Sequence, residues 1–341
     1  MIFARIERMA VRTLMALPDR LLHGMAAAVE SHSRPQLDGR MRLLMALSGA
    51  RPALNTLSVA GARSAYGEMI DLLDVPRQKV RKVSDHRVPV ADGNILVRTY
   101  RPAGAGTPAP AIMFFHGGGF TVGGVREYDR LCRFIANRTG AVVASVDYRL
   151  APEHPSPLPA DDSLAAWRWL CDNAESLGLD SKRLAVMGDS AGGNLSAVVC
   201  QQAAARGLAI PALQVLIYPT TDGALDHESV QTLGEGFGLD RALLTWFRSH
   251  FLPDLALIED YRVSPLRNPE LADLPPAILV TATDPLRDEG LEYGEKLRAA
   301  GIPVMALDYP QLVHGFVTMG GAIPAARRAV LEICEKTAAL L

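Results

Sequence analysis

The sequence predicts an α/β fold, with a mostly parallel sheet covered by helices on both faces and a helical cap above one end. Three observations carry this. From about residue 80, short apolar runs alternate with helical stretches, the pattern of a parallel sheet buried on both sides. One of these runs leads through a Gly-x-Ser-x-Gly turn directly into a helix. A long segment, residues 223 to about 261, then breaks the alternation where an insertion would lie above the carboxyl ends of the strands, the place at which open α/β sheets bind ligands.

In chain order, residues 1–78 show helical patterns and few strand signals, and are expected to form the first part of the cap. Ile2, Ile6 and Met9 share one helical face, and Arg5, Arg8 and Arg12 another, so this helix could instead rest on a membrane surface. The catalytic domain is expected over 79–222 and 262–341, with 223–261 as the inserted second part of the cap. Lys79–Val90 and Ile95–Tyr100 read as two antiparallel strands joined by a turn at Asp92-Gly93. Buried strands follow at Ala111–Phe115, Ala141–Val146, Leu184–Met187, Leu213–Tyr218, Ala277–Thr283 and Val304–Tyr309, and Asn194–Ala205 reads as a helix.

At 341 residues the chain suits one large α/β domain with insertions. Its net charge of −2 lacks the basic surplus of a nucleic-acid binder. Cys132, Cys171, Cys200 and Cys334 are scattered with no C-x-x-C pair, which points to buried free thiols rather than a zinc or dithiol site. The three early arginines interrupt any signal-peptide core, and no apolar helical run is long enough to span a bilayer. A cytoplasmic protein without stable membrane insertion is therefore expected.

The chemistry gathers at predicted strand ends. Gly188-Asp189-Ser190-Ala191-Gly192 follows the strand Leu184–Met187, the context of a strained turn that exposes a serine nucleophile. His116-Gly117-Gly118-Gly119-Phe120 follows the strand Ala111–Phe115. Glycines there let backbone N–H groups approach a developing oxyanion without obstruction. Neither G-x-G-x-x-G nor the P-loop pattern aligns with this run, so a nucleotide site is not expected. An acid and a base should follow the serine in that order. Asp284 stands just past Ala277–Thr283, and His314 lies in the loop after Val304–Tyr309. His314 would take the serine proton, and Asp284 would hold the imidazole and stabilise its cation. Asp288, one helical turn on, competes for the acid role but reads as a surface or capping residue. His23, His32, His86, His154 and His250 lie in cap, early-strand or pre-acid positions. His227-Glu228 fails as a zinc motif because position 231 is glutamine. In the insertion, Phe237, Leu239, Leu243, Leu244, Trp246 and Phe247 are candidates for an apolar substrate lining, with Gly234, Gly236 and Gly238 before them as a possible hinge.

Together these motifs resemble the hormone-sensitive-lipase-like, or family IV, bacterial esterases of the α/β-hydrolase superfamily. Asp147-Tyr148-Arg149-Leu150-Ala151-Pro152-Glu153-His154-Pro155 and Asp284-Pro285-Leu286-Arg287-Asp288-Glu289 match the family's pattern as well. The resemblance covers roughly residues 80–335. It implies an eight-stranded sheet with the second strand antiparallel, a cap from the N-terminal helices and the insertion, and hydrolysis of short- to medium-chain esters of small molecules. It implies no metal and no organic cofactor. Carried over by position, Ser190, Asp284 and His314 form the triad, and Gly117, Gly118, Gly119 and Ala191 the oxyanion hole, with Gly117 also shaping the loop. The Asp147–Pro155 stretch is expected to be structural, and a homodimer through the last strand is an expectation of the same origin. The same triad could also cleave amides, carbamates or lactones, and some proteins of this likeness are binding modules.

Overall fold

In the computed structural model, which describes residues 10–11, 13–15, 17–29, 34, 36–49 and 51–341, one sheet organises the chain. The amphipathic pattern over Ile2–Arg12 lies almost entirely outside the described residues.

Eight strands, β1 (Lys82–Val90), β2 (Gly93–Arg101), β3 (Ala109–Phe115), β4 (Val142–Asp147), β5 (Leu179–Asp189), β6 (Leu213–Ile217), β7 (Ala277–Thr283) and β8 (Val304–Val313), lie in the order β1-β2-β4-β3-β5-β6-β7-β8. Strand β2 runs antiparallel to both its neighbours, and β3 to β8 are mutually parallel. The chain leaves β3 for β4 on one side and reaches β5 on the other. The carboxyl ends of β3 and β5 therefore meet at a switch point, where a crevice forms.

Strand residues alternate between two cores. Ile112 and Phe114 pack with α4 (Asp129–Thr139) and α10 (Pro324–Leu340) on one face. Ala111, Met113 and Phe115 pack with α5 (Leu158–Asp172), α6 (Ala191–Ala205) and α9 (Arg287–Ala299) on the other. Burial on both faces is why these strands read as continuous apolar runs. Further α-helices among the described residues include α1 (Asp19–Val29), α2 (Gly39–Ser48) and α3 (Val59–Leu73) before the sheet, and α7 (Glu228–Thr232) and α8 (Arg241–Phe251) between β6 and β7. The four cysteines are free thiols on α4, α5, α6 and α10. Among the described residues no helix is long and apolar enough to cross a membrane.

Several boundaries differ from those expected; β5, for example, runs from Leu179 to Asp189 rather than from Leu184 to Met187. The first hairpin turns at Ala91-Asp92, because Gly93 already pairs with Val90 as the first residue of β2. Helix α6 begins at Ala191 rather than Asn194, its two glycines being held by close packing rather than by helical propensity. Strand β8 continues past Tyr309 to Val313. It accommodates Pro310 because β8 is an edge strand, where a missing N–H costs no ladder bond. The extension has a consequence for the site. The register shifts after Ala282↔Tyr309 so that Thr283 pairs with Val313, and Thr283 Oγ1 donates to the Pro310 carbonyl at 2.8 Å. That bulge delivers the next residues, Asp284 and His314, side by side.

Candidate active site

Each side chain of the site is placed by the end of a parallel strand. Ser190 joins β5 to α6 with φ +55° and ψ −118°, an unusual conformation for a residue with a β-carbon, and it is held by donation from its N–H to the Ile217 carbonyl at 2.8 Å. Close packing explains the flanking glycines. A β-carbon on Gly192 would collide with the Phe115 carbonyl, and one on Gly188 with the Gly192 carbonyl. His314 Nε2 lies 2.9 Å from Ser190 Oγ. Its ring packs against Tyr218, 4.6 Å between centroids. On its other side, Nδ1 faces Asp284 Oδ2 at 3.5 Å. Asp284 is fully buried, and its Oδ1 accepts the Leu286 N–H at 2.7 Å. Asp288 points elsewhere: its Oδ2 accepts the Ser229 N–H at 2.7 Å, in the first turn of α7.

Strand β3 pairs with β5 so that Phe115 lies opposite Gly188, which sets the glycine loop beside the serine turn. Gly118 and Gly119 have φ +119° and +56°, conformations that favour glycine. The N–H groups of Gly118, Gly119 and Ala191 make no hydrogen bond to any described residue. Gly117 departs from expectation as a donor. Its N–H is committed to Asp189 Oδ1 at 2.9 Å, so Gly117 shapes the loop and has no proton left for an oxyanion. Ser190 and His314 open onto a cavity of about 850 Å³, a size typical of small-molecule sites. One wall comes from Met45, Leu54, Leu57, Tyr66 and Met69, the other from Leu239, Leu243, Leu244, Phe247 and Leu252.

A model of the alpha/beta hydrolase fold family matches residues 112–318. The chain belongs to the α/β-hydrolase family. This α/β-hydrolase is 38% identical over 313 residues to an ethyl acetate hydrolase of Pseudomonas putida, covering 88% of this chain and 97% of that one. It is 39% identical over 304 residues to the carboxylesterase NlhH of Mycobacterium tuberculosis, covering 87% and 94%. Among solved structures, an ester hydrolase from the metagenome of Lake Arreo superposes with a TM-score of 0.85 at 40% identity, covering 89% of this chain and 98% of that one. A thermostable esterase from Pseudomonas putida gives 0.86 at 30% identity, covering 91% and 99%. Within the family the chain falls in the hormone-sensitive-lipase-like group that its motifs indicated.

Two of the expected lining residues of this α/β-hydrolase lie elsewhere. Phe237 is buried in the core that backs α4 and α10, with the Arg34 guanidinium 5.6 Å from its ring centre. Trp246 packs edge-on against Phe247 and His250 rather than lining the cavity. Both are apolar and near α8, which is all that sequence can register; which face they occupy depends on how the segment folds back. Leu239, Leu243, Leu244 and Phe247 do line the cavity. The Asp147–Pro155 stretch buttresses the glycine loop. Tyr148 stacks on His116 and donates to its carbonyl at 2.7 Å, and the Ala151 N–H donates to the Phe120 carbonyl at 2.8 Å. Arg149 forks onto buried Asp162 at 2.7 and 2.9 Å.

Sequence reasoning passed over two buried carboxyls beside the site. Burial pushes Asp189 up to about 6 and Glu289 up to about 8. Glu289 accepts the N–H groups of Thr221 and Asp222 at 2.7 and 3.3 Å, and so fixes the loop after β6. Both residues stand inside motifs already noted, Asp189 as the variable position before the serine and Glu289 at the end of the Asp284 segment. Asp189 stands between Gly188 and Ser190 and Glu289 between Asp288 and Gly290, so no local apolar pattern marks either as buried.

Proposed function

We propose that this α/β-hydrolase cleaves carboxylic esters of short to medium acyl chain through an acyl-enzyme on Ser190. One observation carries the reading: Ser190 Oγ sits 2.9 Å from His314 Nε2, at the mouth of an apolar cavity and beside uncommitted backbone N–H groups. The relatives named as ethyl acetate hydrolase and carboxylesterase support the reaction class.

In the first half-reaction Ser190 Oγ attacks the ester carbonyl carbon while its proton passes to His314 Nε2. The carbonyl electrons move onto oxygen, held by the N–H groups of Gly118, Gly119 and Ala191. Asp284 stabilises the imidazolium and keeps Nδ1 protonated. The tetrahedral species collapses, the alkoxide leaves with the proton from His314, and an acyl-enzyme remains. Water then attacks, giving its proton to His314, and Ser190 departs with that proton as the acid is released. The described residues before the sheet and residues 223–261 act as the two parts of a cap whose apolar side chains hold the acyl and alcohol groups.

Ser190→Ala tests this directly. Hydrolysis of p-nitrophenyl butyrate should fall by on the order of 10⁶, as for loss of the nucleophile in a comparable triad. A fluorophosphonate should label the native chain and not the variant. Substantial turnover by Ser190→Ala would refute the nucleophile, and a native chain inert to the probe would point to a binding module. Rates on an ester and its matched amide then separate esterase from amidase.

A further inference from the structure

Helix α3 carries none of the reacting groups, yet two of its side chains, one helical turn apart, end on the glycine loop and its support. The first connection starts at Tyr66. Its hydroxyl lies 3.0 Å from that of Tyr128, Tyr128 donates to Asp189 Oδ2 at 3.0 Å, and Asp189 Oδ1 accepts the Gly117 N–H at 2.9 Å. Tyr128 has a single proton, committed to the carboxylate, so Tyr66 is the donor between the two phenols. Its donation polarises the Tyr128 O–H and strengthens the next bond in the series. The second connection starts at Arg63. Its Nε donates to the Thr121 carbonyl at 2.9 Å, Nη2 to the Ala151 carbonyl at 3.0 Å, and both Nη atoms to the Glu153 carboxylate at 2.9 and 2.6 Å. Thr121 closes the glycine loop, its N–H reaching the Gly118 carbonyl and its Oγ1 the Gly119 carbonyl, both at 3.0 Å.

Oxyanion donors work only when held in place before charge develops. The backbone of Gly118 and Gly119 has no side chain to fix it, so its geometry must be imposed from outside. Helix α3 grips both ends of the loop, Gly117 through Tyr128 and Asp189, and Thr121 directly. Tyr66 also lines the substrate cavity, so the covering helix and the donors share one side chain. We propose that Tyr66 and Arg63 are positioning residues for the glycine loop, so that the helix covering the site also sets the geometry of its N–H donors. The inference rests on the reading of that loop as the oxyanion hole.

Tyr66→Phe removes the donor and keeps the ring. Arg63→Gln removes the second grip, and Met69→Ala alters the same cavity wall without touching either. Each is compared with the full native chain for kcat and KM on p-nitrophenyl butyrate and for inhibition by a butyl trifluoromethyl ketone. In that inhibitor Ser190 Oγ adds to the carbonyl carbon, its proton goes to His314, and the carbonyl electrons become a hemiketal oxyanion facing the loop. The corresponding secondary alcohol, which forms no oxyanion, serves as the reference ligand. Tyr66→Phe and Arg63→Gln should each lower kcat by about 5- to 20-fold, the scale of one hydrogen bond, with KM within about twofold. Ketone affinity should fall by the same factor and alcohol affinity should hold. Met69→Ala should move KM and alcohol affinity instead. Native kcat in both α3 variants, or equal weakening of ketone and alcohol, overturns the proposal. If Ser190→Ala is inactive while the α3 variants are unaffected, only this inference fails; if Ser190→Ala stays active, the reading of the site fails first.

Discussion

Asp284 Oδ2 stands 3.5 Å from His314 Nδ1, and neither atom has a hydrogen-bond partner among the described residues. The separation is longer than a hydrogen bond, so a small approach of the imidazole would join two buried groups that now lack any other partner. Replacing the carboxylate by an amide should leave the Leu286 N–H satisfied while removing the charge proposed to stabilise the imidazolium. Asp284→Asn is therefore expected to lower kcat by about 10³–10⁴ with little loss of folding. Asp288→Asn should leave kcat within a few-fold, since its carboxylate serves Ser229. Comparing the two variants on p-nitrophenyl butyrate decides between the carboxylates.

Phe247 of α8 lies against Gly119, and a β-carbon at that glycine would meet its ring. Gly119→Ala should thus suffer twice, from the ring and from a φ of +56°. Displacing one oxyanion donor typically costs about 10²–10³ in turnover. In the double variant Gly119→Ala with Phe247→Ala the ring is gone, so part of that loss should return. If the two changes simply multiply, the ring does not set the loop's position.

The parts of the site legible in sequence are those fixed by local rules. Ser190 was readable because an apolar strand, close-packed glycines and a helix must follow one another in the chain. Asp284 and His314 were readable because parallel strands deliver their carboxyl ends to one edge. The eight-stranded sheet with its antiparallel second strand followed from the family resemblance rather than from periodicity. What escaped was set by long-range packing. Gly117 resembles its neighbours in sequence, and only the fold brings Asp189 to its N–H. Phe237 and Trp246 look as apolar as Leu243 and Phe247, and only the path of the inserted segment turns them from the cavity. The Tyr66–Tyr128–Asp189 series joins residues more than a hundred positions apart, which no local pattern records.

That distinction separates specificity from stability along one short segment. Leu243 faces the cavity, so Leu243→Ala should lengthen the preferred acyl chain on a p-nitrophenyl ester series. Trp246→Ala should leave the chain-length profile unchanged. Phe237→Ala should also leave it unchanged while costing about 3 kcal/mol of stability, the scale of an aromatic removed from a core. A profile shifted by Trp246→Ala and not by Leu243→Ala would reverse the assignment of the α8 faces.

Glu289 gives a pH dependence of stability whose sign differs from that of most carboxylates. Its side chain is fully buried, and one oxygen accepts two N–H groups. Burial dominates, and the group is pushed from an ordinary 4.5 to about 8. Between those values the folded chain holds a proton that the unfolded chain has released, so unfolding free energy falls as pH rises. The stabilising contribution is complete below about 4.5 and is lost as pH climbs through about 8. Asp189, raised to about 6, acts in the same direction over a lower window, so the native curve alone does not isolate Glu289. The difference between native and Glu289→Gln does. Urea unfolding from pH 6 to 9 should show native stability declining relative to the glutamine variant by on the order of 1 kcal/mol per pH unit up to about 8, then running parallel to it. Parallel curves across the whole range would mean that the Thr221 and Asp222 N–H groups hold the carboxylate ionised despite its burial.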